Sequence, residues 1–362
     1  GANIVMVTKG GTKDFHGGAY IFLRNEWMNA NSWTNNFNGL ARARNRNRTQ
    51  GFQVGGPAYI PGKFNTSKDK LFFFTNFEFQ RPRLFDALQS RTMPTKEERL
   101  GDFTKTQENG RPVTIKDPTT GQPFSGNIIP TSRINKFGQE LLNFFPEPNR
   151  IGVDNAYNYQ YQFAGSDKRD DMNFRGDWNI STNWKAAGRL NLNKRDALQS
   201  AGLNVNNQIG LSPFHAQTGG IGSSGTVTTI ISPTLTNEVN YGNTRNWLPN
   251  VIEDDSKYLR KNSGVNVPAL YPNADPLGQI PNMTFGGVTN PPTMYIGGMP
   301  YDNENITNNV VDNVAKVTAN HTLKFGFSYE TSFKRQTATI VNNGRIDFSR
   351  DTANPGDTGW AF

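Results

Sequence analysis

Leu323-Lys324-Phe325-Gly326-Phe327-Ser328-Tyr329-Glu330-Thr331-Ser332-Phe333-Lys334 decides how this 362-residue chain is to be read. Its odd positions are apolar or aromatic apart from Thr331, and its even positions are small or polar. A period of two is the mark of a β-strand with one greasy face and one wet face. The alternation lasts about twelve residues, longer than a typical strand of a soluble domain. The run Leu71-Phe72-Phe73-Phe74-Thr75-Asn76-Phe77-Glu78-Phe79-Gln80 repeats it, with Leu71, Phe73, Thr75, Phe77 and Phe79 on one side and Asn76, Glu78 and Gln80 on the other.

Weaker copies surround these two. Met172, Phe174, Gly176, Trp178 and Ile180 alternate with Asp171, Asn173, Arg175, Asp177 and Asn179, while Trp184, Ala186, Gly188, Leu190 and Leu192 alternate with Lys185, Ala187, Arg189, Asn191 and Asn193. Ser181-Thr182-Asn183 would turn this pair into a hairpin. Further strands are expected over 15–24, 51–60, 225–231, 235–247, 308–318 and 344–349, giving about ten in all.

Composition excludes several chemistries. The chain has no Cys, so it carries no disulfide, thiolate metal site or cysteine nucleophile, and its three His (His16, His215, His321) are far apart, so no metal or metal cofactor is expected. It holds 38 Lys+Arg against 30 Asp+Glu, a formal charge of +8. Hydrophobic residues make up only 35%, yet aromatics reach 12%, which separates it from disordered chains. A polar, aromatic-rich chain folds if each strand needs one apolar face, as in a sandwich or in a barrel with a wet interior.

The connections choose between those two. They are short near 61–69, 181–183, 232–234 and 319–321, and long, rich in Asn, Gly and Pro, at 25–50, 81–169, 195–224 and 248–306. All the tight turns thus fall at one end of the sheet, the sorting found in outer-membrane barrels. The expected fold is all-β, an antiparallel transmembrane β-barrel of which about ten strands are present. Leu71, Phe73, Phe77, Phe79, Trp178, Trp184, Leu323, Phe325, Phe327, Tyr329 and Phe333 would face outer-membrane lipid, with Trp178 and Trp184 in an interfacial girdle. Glu78, Arg175, Asp177, Lys185, Arg189, Lys324 and Glu330 would point into a hydrated lumen. A soluble carbohydrate-binding sandwich is the alternative architecture. Within 81–169, the spacing of Ile134, Phe137, Leu141, Leu142 and Phe145 before Pro146 predicts a short helix capped by Thr131 or Ser132.

The resemblance to a known family is carried by several motifs. Asn3-Ile4-Val5-Met6-Val7-Thr8-Lys9-Gly10-Gly11-Thr12 followed by Phe15-His16-Gly17-Gly18-Ala19-Tyr20 resembles the junction between plug and barrel in TonB-dependent outer-membrane receptors. Phe22-Leu23-Arg24-Asn25, Gly55-Gly56-Pro57, Asp69-Lys70-Leu71-Phe72-Phe73-Phe74 and His321-Thr322-Leu323-Lys324-Phe325-Gly326 are similar to barrel segments of that family. Met93-Pro94-Thr95, Glu98-Arg99-Leu100-Gly101-Asp102-Phe103, Asp117-Pro118-Thr119-Thr120-Gly121 and Ile129-Pro130-Thr131-Ser132-Arg133-Ile134 resemble its Oar-like branch. The resemblance implies a barrel of about 22 strands closed by an N-terminal plug. It makes 1–12 the end of the plug and its linker, and 13–362 a partial barrel with a long outer-loop insert at 81–169, so that the chain is expected to be a fragment cut at both ends. It further implies bacterial outer-membrane localisation and uptake of a nutrient (metal chelate, oligosaccharide or peptide) powered by the inner-membrane TonB complex acting through the missing N-terminal region. A structural or adhesive surface barrel without active transport is the alternative function.

Other motifs carry less. Gly220-Ile221-Gly222-Ser223-Ser224-Gly225 matches a phosphate-binding glycine pattern, but the β-rich Thr226-Val227-Thr228-Thr229-Ile230-Ile231 follows where a helix should, so a flexible loop is expected there. Arg42, Arg44, Arg46 and Arg48 recur at every second position and would present four guanidinium groups to an anionic ligand or to lipopolysaccharide; a solvated loop is the plainer reading, and no nucleic acid partner is expected. Tyr157, Tyr159, Tyr161 and Tyr271 are candidate ligand contacts in the loops. No nucleophile elbow or His-Glu zinc motif supports catalysis, so the chain is not expected to be an enzyme. Asn65-Thr66-Ser67 is a chance glycosylation match in an Asn-rich chain.

Overall fold

The computed structural model describes residues 8–37, 39, 41–85, 88–152, 156–200, 212–296, 299–338, 343–348, 359, 360 and 362. Residues 1–7, the first part of the junction motif, lie outside the described residues. Nine long strands form the frame: β1 (His16–Arg24), β2 (Asn45–Pro57), β3 (Leu71–Gln80), β4 (Ala164–Asn179), β5 (Trp184–Gln199), β6 (Phe214–Ser232), β7 (Leu235–Trp247), β8 (Tyr301–Thr318) and β9 (His321–Ala338). Each pairs antiparallel with its sequence neighbour, and the short strands Arg83–Phe85 and Asn250–Ile252 prolong them into an eleven-stranded sheet.

The registers reveal how the strands are tilted. From Pro57, the last residue of β2, direct pairing leads through Phe72, Asp177, Ala187, Thr226, Asn240 and Val311 to Ser328, seven residues beyond the start of β9. Seven strand-to-strand steps therefore shift the turn end by about one residue each, the kind of uniform stagger that tilts strands about a barrel axis.

The strands are longer than their alternation suggested. β2 begins at Asn45, β4 at Ala164, β6 at Phe214 and β8 at Tyr301, and β5 runs to Gln199, so the expected loop at 195–224 is mostly strand. These added stretches lack a sustained alternation of apolar and polar residues, and what holds them extended is pairing on both sides. The Gly220–Gly225 motif is a case in point. It lies inside β6, paired with β5 and β7, so its backbone N–H groups are spent in the ladder and the flexible-loop reading is corrected.

The short turns behave as expected, and Asn65 explains the one at 61–70. Its side chain donates to the carbonyls of Ala58 (3.0 Å) and Leu71 (2.9 Å) and accepts from the N–H groups of Asp69 (3.1 Å) and Lys70 (2.9 Å). Its φ of +48° suits Asn better than most residues.

The apolar core of the molecule is not in the sheet. The long connections 88–152 and 256–296 fold together at the end opposite the short turns, where Met93, Phe103, Leu141 and Phe145 from the first meet Tyr258, Ile280, Met283 and Phe285 from the second. The helix within the first runs Lys136–Asn143 and is capped by Asn135, whose carboxamide accepts from Phe137 N and Gly138 N, rather than by Thr131 or Ser132, which sit in a separate 3-10 turn. The strand expected at 344–349 is Arg345–Phe348, and it pairs in parallel with Asn282–Phe285 in this cap instead of joining the large sheet. Buried Asn side chains replace regular structure there: Asn158 bonds both backbone groups of Met93 (2.7 and 2.8 Å), and Asn127 ties Phe103, Val113 and Ile115 together.

Candidate functional site

Strand pairing sorts the large sheet into two unlike faces. On the apolar face, Leu71 pairs with Trp178, Trp178 with Ala186, Ala186 with Val227 and Val227 with Val239. The Leu323–Phe333 row of β9 shares that face and has no second layer over it; Phe325 and Phe327 are each 64% exposed. Phe73, Phe77 and Phe79 are half-buried among their neighbours, with Phe77 stacked on Phe52 at 4.7 Å. Trp178 and Trp184 flank the 180–183 turn and are both exposed. The face carries polar insertions that pair with one another: Asn237 donates to the Asp312 carboxylate, and Asn243 donates to Asn308 at 2.7 Å.

The opposite face is largely polar, with Phe72 and Phe74 of β3 as apolar exceptions, and the registers put Glu78, Arg175, Asp177, Lys185, Arg189, Lys324 and Glu330 there. Arg175 and Asp177, two residues apart on one strand, form an ion pair at 2.7 Å. Arg175 also donates to the carbonyl and the hydroxyl of Thr8, so the segment Thr8–Gly11 is held against this face. Lys9 lies over the Phe74 ring at 5.7 Å. Gly11 sits so close that a Cβ would come within 2.3 Å of the Phe73 carbonyl oxygen, which only Gly permits. Tyr20 donates to Glu78 at 2.5 Å and Gln80 to the same carboxylate at 2.7 Å. Toward β7 and β8 the face opens into a groove of about 620 Å³ lined by Arg189, Asn191, Glu238, Asn240 and Asn309.

The arginine comb is split by the start of β2. Arg42 donates to the Glu26 carbonyl and Arg44 stacks over Phe85, both ahead of the strand. Arg46 and Arg48 are in β2 and on the apolar face, where Arg46 grips the Glu26 carboxylate with two nitrogens. Those hydrogen bonds hold the Glu26 carboxyl down at about 2. Sequence reasoning missed Arg81 and Arg83, which the pairing of Arg83 with Arg46 brings beside the comb. The signal was present as Arg81-Pro82-Arg83 directly after a greasy strand.

Of the loop tyrosines, Tyr157 and Tyr271 are exposed, whereas Tyr159 and Tyr161 are half-buried in a short strand against Gln89–Arg91. The cap holds buried charge that the sequence did not advertise. Glu98 closes a capping box with Thr95 and accepts from the Thr106 hydroxyl at 2.7 Å, and burial pushes its carboxyl up. Arg99 donates to the Pro94, Leu142 and Pro146 carbonyls, and burial lowers it. Among the described residues no group of three His, Asp or Glu is placed to hold a metal ion.

Comparison with solved structures gives weak overall likeness. The outer membrane transporter YddB of Escherichia coli superposes with a TM-score of 0.45 at 8% identity, covering 91% of this chain and 32% of that one. A mutant ferric enterobactin receptor PfeA of Pseudomonas aeruginosa, in complex with enterobactin, gives 0.39 at 9% identity with the same coverages. The chain thus spans about a third of either protein. No curated protein matches the sequence. The family assignment rests on the sequence itself: residues 7–361 match the outer membrane beta barrel domain, so the chain belongs to that family and its place is the bacterial outer membrane.

Proposed function

We propose that this chain forms part of a receptor that binds a nutrient at the cell surface and imports it with energy from the TonB complex of the inner membrane. The observation that carries the reading is the Thr8–Gly11 segment, held by Arg175 on the polar face. A segment that runs along the polar face before entering β1 is what a connection from a lumenal plug requires. On this reading residues 1–12 end the plug, as in the Oar-like branch, and 13–362 supply part of the barrel with its outer insert at 81–169. Glu78, Arg175, Asp177, Lys185, Arg189, Lys324 and Glu330 face the plug through a hydrated interior, and charges of both signs suit a polar plug surface. The cargo is a metal chelate, an oligosaccharide or a peptide, met first by the cap, whose exposed Tyr157 and Tyr271 are its candidate contacts. No enzymatic step is assigned.

The cap also favours a second reading, a structural or adhesive barrel, because a loop layer with its own apolar core offers a fixed surface to a partner. Uptake of candidate nutrients by cells carrying the intact gene, with and without TonB, separates the two. Uptake that disappears without TonB is expected; equal uptake in both strains overturns the transport reading and leaves adhesion.

A further inference from the structure

Where the apolar face ends, it ends in arginine. Leu23 of β1 pairs with Arg48 of β2, and the Arg81 N–H donates to the Arg48 carbonyl at 2.8 Å, so Arg48 and Arg81 sit side by side across the strands. Arg46 pairs with Arg83 one step further out. Because Gln80 pairs with Arg169 and Arg83 with Ser166, the same register sets Lys168 opposite Arg81. Like charges directly across a sheet are destabilising, and here two such pairs lie one above the other. Arg46 is offset by Glu26 (2.8 Å), Arg81 by Asp170 (2.6 Å), and Lys168 faces Asp196 across the strand. Arg48 and Arg83 have no acidic group within ion-pair distance among the described residues.

Two features say what kind of anion belongs there. Directly below, Phe52, Phe77 and Met172 form an apolar row, and an open groove of about 420 Å³ beside the arginines is lined by Leu23, Trp27 and Met28, all exposed. The height is also decisive. Arg81 lies ten residues beyond Leu71, and at about 3.3 Å per residue and a tilt of roughly 40° that is about 25 Å, the thickness of the apolar band of an outer-membrane barrel. The arginines therefore stand at the level of the outer-leaflet headgroups and on the side turned away from the lumen.

We propose that Arg48 and Arg83, supported by Arg46 and Arg81, dock the phosphorylated sugar headgroup of an outer-leaflet glycolipid, a lipopolysaccharide, whose acyl chains lie along Leu23, Ile21 and Phe52. Guanidinium forks take phosphate oxygens two at a time, and the polyanion relieves the cross-strand repulsion. The proposal does not depend on transport.

The test uses the full-length parent protein in detergent, with binding read by native mass spectrometry. Bisphosphorylated lipid A should bind, lipid A stripped of phosphate should bind at least about tenfold more weakly, and the Arg48→Gln/Arg83→Gln double variant should lose about as much for the phosphorylated lipid. Heat-modifiable migration checks that the variant is folded; if it is not, the single variants Arg48→Gln and Arg83→Gln should each show part of the loss. Equal binding of the stripped lipid, unchanged binding by folded variants, or displacement by millimolar inorganic phosphate alone would overturn the proposal, the last by assigning the cluster to free phosphate.

Discussion

Asn65 shows how one side chain can set a turn. All its hydrogen-bonding capacity is spent inside the 58–71 segment, two donors on carbonyls and one carbonyl shared by two N–H groups. It is 6% exposed, so it does work as a staple and is out of reach of any glycan-transferring chemistry. Asn65→Ala removes four bonds and leaves their partners to water, which should cost about 2–4 kcal/mol at roughly 1 kcal/mol per bond. Urea titration of the protein refolded into lipid vesicles measures this; a loss below about 0.5 kcal/mol would mean that the turn forms without its staple. Glu140 is a second single-residue tie. Its carboxylate accepts from the backbone N–H of Asn266 at 2.7 Å and from the Asn266 carboxamide at 3.2 Å, joining the two long connections. Those bonds, backbone first, hold its carboxyl below its ordinary 4.5. A lowered folded value means that the tie is present above pH 4.5 and is lost as pH falls through the folded value. The protection factor of the Asn266 amide, its exchange measured against the intrinsic rate at each pH, should fall on acidification in the wild type, and Glu140→Gln should remove that dependence. Glu98 has the opposite sign, since burial raises it and its contribution fades as pH rises.

The individual strand tests the division of faces. In β5, Leu190 and Asn191 are adjacent, bracketed by β4 and β6, and project to opposite sides. Leu190 is six residues beyond Trp184, roughly 15 Å from the turn and near the middle of the apolar band. Leu190→Arg should therefore cost about 2–4 kcal/mol in a bilayer, while Asn191→Arg, on the hydrated side, should be close to neutral. Urea midpoints of the two variants in vesicles give the comparison, and equal midpoints would reject the division of faces. The same strand shows what can be read without coordinates. Between Trp184 and Leu192 the alternation is plain because bilayer and water demand different residues on the two sides. From Asn193 to Gln199 the strand has risen past that demand, and sequence patterning falls silent although the ladder with β6 continues. β6 was hidden by its glycines for a related reason, since paired neighbours rather than local propensity keep Gly219–Gly225 extended. Arg81 and Arg83 were passed over because a charge pair becomes a cluster only when the register with Arg46 and Arg48 is known.

At the scale of the molecule, apolar burial is concentrated where the sequence suggested mere loops. Met93 and Ile280 are fully buried and nearly two hundred residues apart, so no local period could announce that they share a core. Two ring contacts hold the halves together: Phe145 packs edge-on against Phe285 at 5.5 Å, and Phe144 meets Tyr258 at 5.9 Å. If the connections fold as one unit, damage to one must loosen the other. Phe145→Ala removes a ring that is 2% exposed, and a large-to-small change at such a site costs about 3–5 kcal/mol. In limited proteolysis of the membrane-embedded protein, the wild type should resist cleavage within both 88–152 and 256–296. The variant should become sensitive in both at once, while the strands stay protected and migration stays heat-modifiable. Cleavage confined to the first connection would mean that the two pack side by side without depending on each other. Joint release would mean that the face met by an arriving partner is a single preformed surface, so that access to the lumen requires the whole cap to move or the partner to pass beside it.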